Sequence, residues 1–158
     1  MRILVFSDTH RAVLRLEKEI SRYPDIRHIF FLGDIVSDAE DVRCNFPDKI
    51  FHIVSGNCDF SASYPTFGTE TIENIRIFYC HGHRLNVKYG LEKIKEAARE
   101  QNCTLALFGH THCSLEAYDD GLYIVNPGSL CSSRDGRRPS YAIIDLTPQG
   151  ICTKTVFI

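Results

Sequence analysis

The sequence predicts an α/β fold, a four-layer α/β/β/α sandwich of two mixed β-sheets flanked by helices. Three observations carry this reading. Short unbroken apolar runs, such as Ile3–Phe6, Ile29–Leu32 and Leu105–Phe108, suit strands buried on both faces. The first third of the chain alternates such runs with helical patterns, and that order calls for right-handed parallel crossovers. The later chain changes to paired runs split by turn residues, which read as hairpins. Parallel strands first and hairpins later place two sheets face to face, with helices outside both.

Each element has its own signal. The first strand is Ile3–Phe6. Val13, Leu16 and Ile20 recur at helical spacing and predict a helix from about Ala12 to Tyr23, ended near Pro24. Ile29–Leu32 is the second strand. Ser37 with Glu40 forms a capping-box pattern for a short helix that stops before Pro47. Ile50–Val54 is the third strand. Glu70–Ile72 and Arg76–Cys80 pair across Asn74. Gly90–Gln101 forms a helix with Leu91, Ile94, Ala97 and Ala98 on one face. Leu105–Phe108 is again a strand. Leu115–Tyr118 and Leu122–Val125 pair across Asp119-Asp120-Gly121, and Tyr141–Asp145 pairs with Cys152–Phe157 across Pro148-Gln149-Gly150.

With 158 residues, one domain over 1–158 is expected, with no room for a second core. No run approaches the ~18 apolar residues of a membrane span, and the N-terminus lacks a signal-peptide pattern. Seven cysteines without a Cys-x-x-Cys pair suggest free thiols and a cytoplasmic location. A net charge of -2 argues against general nucleic-acid binding.

The chemistry is concentrated at strand ends. Asp8 and His10, Asp34, Asn57, His81, and His110 with His112 lie on five short motifs, each following a predicted strand. Ligands of open α/β folds gather outside the carboxyl ends of strands, so these residues can meet in one pocket. Carboxylate, amide oxygen and imidazole together suit a pair of divalent ions. Two such ions bring roughly +4 against about -2 from Asp8 and Asp34, which leaves charge to attract an anionic ester. Singly each motif is weak, because Asp8 can cap a helix and Asp34 or Asn57 can serve a turn. Their ordered occurrence is what is specific.

The ordered set Asp8-x-His10, Gly33-Asp34, Gly56-Asn57-Cys58-Asp59, His81-Gly82-His83 and Gly109-His110-Thr111-His112 resembles the calcineurin-like metallophosphoesterase superfamily. The short chain, Cys58 and the stretch Asn126-Pro127-Gly128-Ser129 are similar to its small YfcE-like phosphodiesterases. The resemblance spans nearly the whole chain. It implies one ion held by Asp8, His10, Asp34 and His112 and a second by Asp34, Asn57, His81 and His110, with Asp34 as bridge. Manganese is the leading expectation for both ions, with nickel, iron, zinc or magnesium as alternatives. The implied reaction is hydrolysis of a small phosphate ester, chiefly a phosphodiester, by a metal-bridged hydroxide. Many members carry His where this chain has Cys58, so a preference for good leaving groups is expected.

By that resemblance the residues acting at the ester are Asp34, Asn57, Cys58, Asp59 and His83, and its contacts are Asn57, Cys58, His83 and Arg134. Asp59 is expected to orient Asn57 or a nearby histidine. His83 is left between substrate contact, support of His81 and a plain loop residue. Arg134, with Arg137 and Arg138, lies in a polar loop that is ordinarily solvated surface, although arginine suits phosphate. His28 and His52 read as ordinary structural or surface residues. A homodimer rests on the resemblance alone. The rival expectation is a non-catalytic protein-binding scaffold of the same fold, like the retromer subunit.

Overall fold

The computed structural model describes residues 1–60 and 63–158. Its elements run β1 (Arg2–Phe6), α1 (Val13–Ser21), β2 (His28–Phe31), α2 (Val36–Arg43), β3 (Ile50–Ile53), β4 (Phe67–Ile72), β5 (Ile75–Cys80), α3 (Glu92–Glu100), β6 (Leu105–Leu107), β7 (Ser114–Asp119), β8 (Leu122–Pro127), β9 (Ser140–Thr147) and β10 (Gly150–Phe157). One sheet has the order β10-β9-β1-β2-β3 and the other β4-β5-β6-β8-β7. In the first, β1, β2 and β3 are parallel, while β9 is antiparallel to β1 and to β10. The second pairs β5, β6 and β8 in parallel, with β4 and β7 as antiparallel edges. Both sheets are therefore mixed, as expected.

The alternation of side chains along β1 explains the layers. Ile3 and Val5 face the second sheet and join Phe30, Leu32, Ile77, Leu105, Leu107 and Ile144 in one buried cluster. Leu4 and Phe6 face the other way, onto Leu16 and Ile20 of α1 and Val36, Ala39 and Val42 of α2. A third cluster packs Phe78, Ala106 and Ile124 of the second sheet against Ile94 and Ala98 of α3. Three apolar interfaces separate four layers, and a strand buried on both faces needs no polar alternation.

Two local expectations are corrected. The helices are shorter than their apolar patterns, since α1 stops at Ser21 and α3 spans Glu92–Glu100. The Ser37/Glu40 capping box does not form. Helix α2 starts at Val36, so Ser37 is already helical, and Ile35 holds the N-cap position with φ 74° and no side-chain cap of its own. The cap comes from Asp59, as described below.

His52 on β3 sits at the edge between the sheets. Its ring stacks on Phe30 at 4.4 Å, its Nε2 lies 3.0 Å from His28 Nδ1, and its Nδ1 lies 3.5 Å from Glu70 Oε2 on β4. The residue is only 8% exposed. Burial holds its pKa down at about 4, with Glu70 opposing and His28 assisting. Below about pH 6.5 the unfolded chain takes up a proton that the folded state resists. Stability is therefore expected to fall as pH drops from about 6.5 towards 4. Urea midpoints at pH 7.5 and pH 5 should differ less in His52→Phe than in wild type. An unchanged difference would remove His52 from this role.

Candidate metal centre

All five motifs converge where the parallel strands end. The first donor set is Asp8, His10, Asp34 and His112, one donor atom of each lying within 4.8 Å of all the others. His112 Nε2 is 3.1 Å from Asp8 Oδ1 and 3.2 Å from His10 Nε2, and His10 Nε2 is 4.0 Å from Asp34 Oδ2. A second group adjoins it. His81 Nε2 lies 3.1 Å from Asn57 Oδ1, 3.2 Å from His110 Nδ1 and 3.5 Å from Asp34 Oδ1. The two oxygens of Asp34 thus face different groups.

The ring orientations are set from behind. His81 Nδ1 lies 2.7 Å from the Leu32 carbonyl and His112 Nδ1 lies 3.2 Å from the Ser132 carbonyl. A carbonyl only accepts, so in each ring Nδ1 carries the proton and Nε2 keeps its lone pair towards the centre. Burial, assisted by His81 and Lys88, holds the His110 pKa at about 4, so that imidazole is neutral near pH 7. Asp8 Oδ2 accepts from Ser7 Oγ at 2.6 Å and from His110 N at 2.9 Å. Asp8 Oδ1 is buried and has no hydrogen-bond partner among the described residues. A buried carboxylate oxygen left bare, beside lone pairs converging at little more than 3 Å, is a set of donors that repel one another until a cation lies among them. Asp8, His10, Asp34 and His112 fit a divalent ion.

Backbone conformation presents these donors. Asp8, His10, Asp34, His110 and His112 all have positive φ, between 43° and 68°. Such left-handed residues turn the chain sharply at each strand end. Gly33 has φ 91°, and a Cβ there would fall 2.5 Å from the Gly56 nitrogen, so the β2 and β3 loops touch through bare backbone. A Cβ on Gly109 would overlap Ser7 Oγ and press on Asp8 Oδ2.

Asp59 holds the β2 and β3 loops together. Its Oδ2 accepts from Asp34 N at 3.0 Å and Gly56 N at 2.7 Å, and its Oδ1 accepts from Ile35 N at 2.9 Å and Val36 N at 2.8 Å. Among the described residues it bonds neither the Asn57 side chain nor a histidine, unlike the expectation from sequence. It instead caps α2 and fixes the backbone of Asp34. Cys58 donates from its N to Asp34 Oδ1 at 3.0 Å, and its Sγ lies 3.4 Å from Asp34 Oδ2. Burial and then the Asp34 carboxylate push that thiol up to about 11. His83 starts a short 3-10 turn, His83–Leu85, with its ring 5.3 Å from His81 and 6.1 Å from His110. Its Nδ1 is buried without a partner among the described residues. Arg134 donates its backbone N–H to the His112 carbonyl at 3.2 Å, and its side chain is exposed.

Further supports lie behind the donors, and of these Asp38 was not singled out in the sequence. Asp38 on α2 accepts from Thr9 Oγ1 at 2.6 Å and Arg11 N at 2.8 Å, which ties the first loop to the helix. An acidic residue in a first helical turn reads as ordinary dipole compensation, so its sequence signal is weak. Asn126 Nδ2 donates to the Gly109 carbonyl at 2.9 Å and to Thr111 Oγ1 at 3.0 Å, and Ser129 Oγ donates to the Asp8 carbonyl at 2.8 Å. Asn126-Pro127-Gly128-Ser129 therefore braces two donor loops.

The family model described as the calcineurin-like phosphoesterase superfamily domain matches residues 1–149. The chain belongs to that superfamily. Among curated members, the probable metallophosphoesterase YsnB of Bacillus subtilis is 28% identical over 148 residues, covering 92% of this chain and 85% of the relative. Vacuolar protein sorting-associated protein 29 of Schizosaccharomyces pombe is 32% identical over 160 residues, with the same coverage. Among solved structures, YfcE, a phosphoesterase from E. coli, superposes with a TM-score of 0.72 at 23% identity, covering 100% of both chains. At that identity the likeness shows the fold. As a phosphoesterase-superfamily member the chain has the expected two-sheet architecture. No helix of the described residues is long and apolar enough to cross a membrane.

Proposed function

We propose that this protein is a dinuclear metal-dependent phosphoesterase acting chiefly on phosphodiesters. The observation that carries the reading is the pair of donor groups on either side of Asp34, each facing one of its oxygens. Asp8, His10, Asp34 and His112 would hold one divalent ion, and Asp34, Asn57, His81 and His110 the other, with manganese the leading candidate. When bound, such ions supply Lewis acidity and lower the pKa of water, the chemistry that phosphoester hydrolysis requires.

The chain's own residues do the rest. Asp8 and Asp34 contribute two negative charges against roughly four positive ones, so an anionic diester is attracted rather than repelled. Leu32 and Ser132 carbonyls lock His81 and His112 in the tautomers that aim Nε2 inward. Asp59 keeps Asp34 in register through the backbone. Cys58 places a thiol, not an imidazole, beside Asp34. A thiol stabilises a departing alkoxide poorly, which supports a preference for good leaving groups. Asn57, Cys58, His83 and Arg134 are the candidate substrate contacts.

Hydrolysis of bis-p-nitrophenyl phosphate tests the reading. Protein stripped with chelator should lose activity by at least about 10²-fold and regain it with manganese, as expected when metals carry the catalysis. Activity indifferent to chelation and metal would sink it. The likeness to vacuolar protein sorting-associated protein 29 supports a second reading, a protein-binding scaffold. Complete inactivity with two ions bound would favour that alternative.

A further inference from the structure

A groove of about 330 Å³ opens beside the donor groups, between the β4 edge of the second sheet and α3. That size falls in the range of small-molecule pockets, ~300–1,000 Å³. Its apolar walls include Phe67, Phe78 and Ala97, and His83, Arg84 and Glu100 supply polar groups. The Phe67 and Phe78 rings are stacked at 5.7 Å with 22° between their planes. Phe78 is buried and backs the pair, while Phe67 is 52% exposed. A flat aromatic face left half open at the mouth of a pocket suits a planar ring. Arg84 and Glu100 make no side-chain hydrogen bond or ion pair with each other or with any other described residue. A free donor and a free acceptor at one rim suit a ring bearing both acceptors and donors on its edge.

His83 joins this groove to the metal centre. Its ring lines the groove and also packs 5.3 Å from His81 and 6.1 Å from His110. A phosphoryl group seated among the donors would send one substituent past His83 towards Phe67. We infer that the groove between β4 and α3 is a substrate subsite, which takes a planar aromatic heterocycle of nucleobase type carried on the ester. The inference rests on the phosphoesterase reading and specifies its substrate class.

Two esters with one leaving group test it on the manganese-loaded protein: thymidine 5′-p-nitrophenyl phosphate and methyl p-nitrophenyl phosphate. In Phe67→Ala, kcat/KM for the thymidine ester should fall about 10-fold, the scale of one lost base–aromatic stack, while the methyl ester changes less than about 2-fold. Ala97→Trp, which fills the groove from α3, should reproduce that selective loss. Equal effects on both esters, or none, would overturn the assignment. Calorimetric titration with adenosine 5′-monophosphate and ribose 5-phosphate gives a readout apart from turnover. Wild type should bind the former more tightly, and Phe67→Ala should erase the difference. If neither ester is hydrolysed, the phosphoesterase reading fails and the titration alone decides the groove. Equal affinities in wild type would then reject it.

Discussion

Asp34→Ala is expected to lower manganese-dependent diester hydrolysis by at least about 10³-fold, because on the proposed dinuclear reading it removes a donor from both metal positions at once. Each other donor belongs to one group, but Asp34 presents Oδ1 to His81 and Oδ2 to His10. Its side chain is almost wholly buried, and a water in its place would bring neither its charge nor its fixed position. Metal content should drop with activity, from two ions per chain to one or none. The thermal stabilisation that manganese confers should shrink in parallel, since it follows the affinity of the folded state alone. Asp34→Asn keeps one oxygen and should retain part of the binding and little of the rate. Full metal content together with unimpaired turnover in Asp34→Ala would refute the bridging assignment.

The second large effect concerns stability. Asp59→Ala leaves four backbone N–H groups, those of Asp34, Ile35, Val36 and Gly56, without their acceptor. Partial burial of the corner hinders water from replacing a carboxylate that meets four donors. A loss of about 2–4 kcal/mol is expected, or roughly 5–15 °C in Tm for a chain of this size. Asp59→Asn retains one good acceptor but turns an amide N–H₂ onto two donors, so it should recover at most about half of that. Calorimetry of the metal-free protein checks both variants. A loss below about 0.5 kcal/mol in Asp59→Ala would mean that the four bonds are replaced by solvent.

The contrast between these residues shows what a sequence can disclose. Asp34 was legible because its chemistry is its own: a carboxylate after a strand and a glycine, in order with four other donor motifs. Sheets and layers were legible for a related reason, since Ile3–Phe6 and Leu105–Leu107 carry their burial in their composition. Asp59 was visible as part of the Asn57 motif, yet its partners are main-chain groups, three of them on residues 23 to 25 positions away, which no side-chain pattern records. The same hidden bond explains why Ser37 and Glu40 misled. A capping box presumes that the helix must satisfy its own first donors, and here a distant loop satisfies them. The groove under Phe67 was equally hidden, because most of its walls come from β4, β5 and α3, where the contributing residues are unremarkable positions by themselves, and only His83 and Gly82 belong to a donor motif.

Ile35 gives that corner a characteristic way to fail. A β-branched residue at φ 74° pays a conformational penalty, of order 1–3 kcal/mol, that only its surroundings sustain. In Asp59→Ala the chain is expected to relax by dropping Ile35 into the right-handed basin, which would wind α2 backwards and carry the preceding carboxylate off its station. Damage there should be abrupt, with few half-competent intermediates between working and ruined molecules. Hydrogen exchange at the Ile35 and Val36 amides would reveal it, as two sites opening together well before the sheets do.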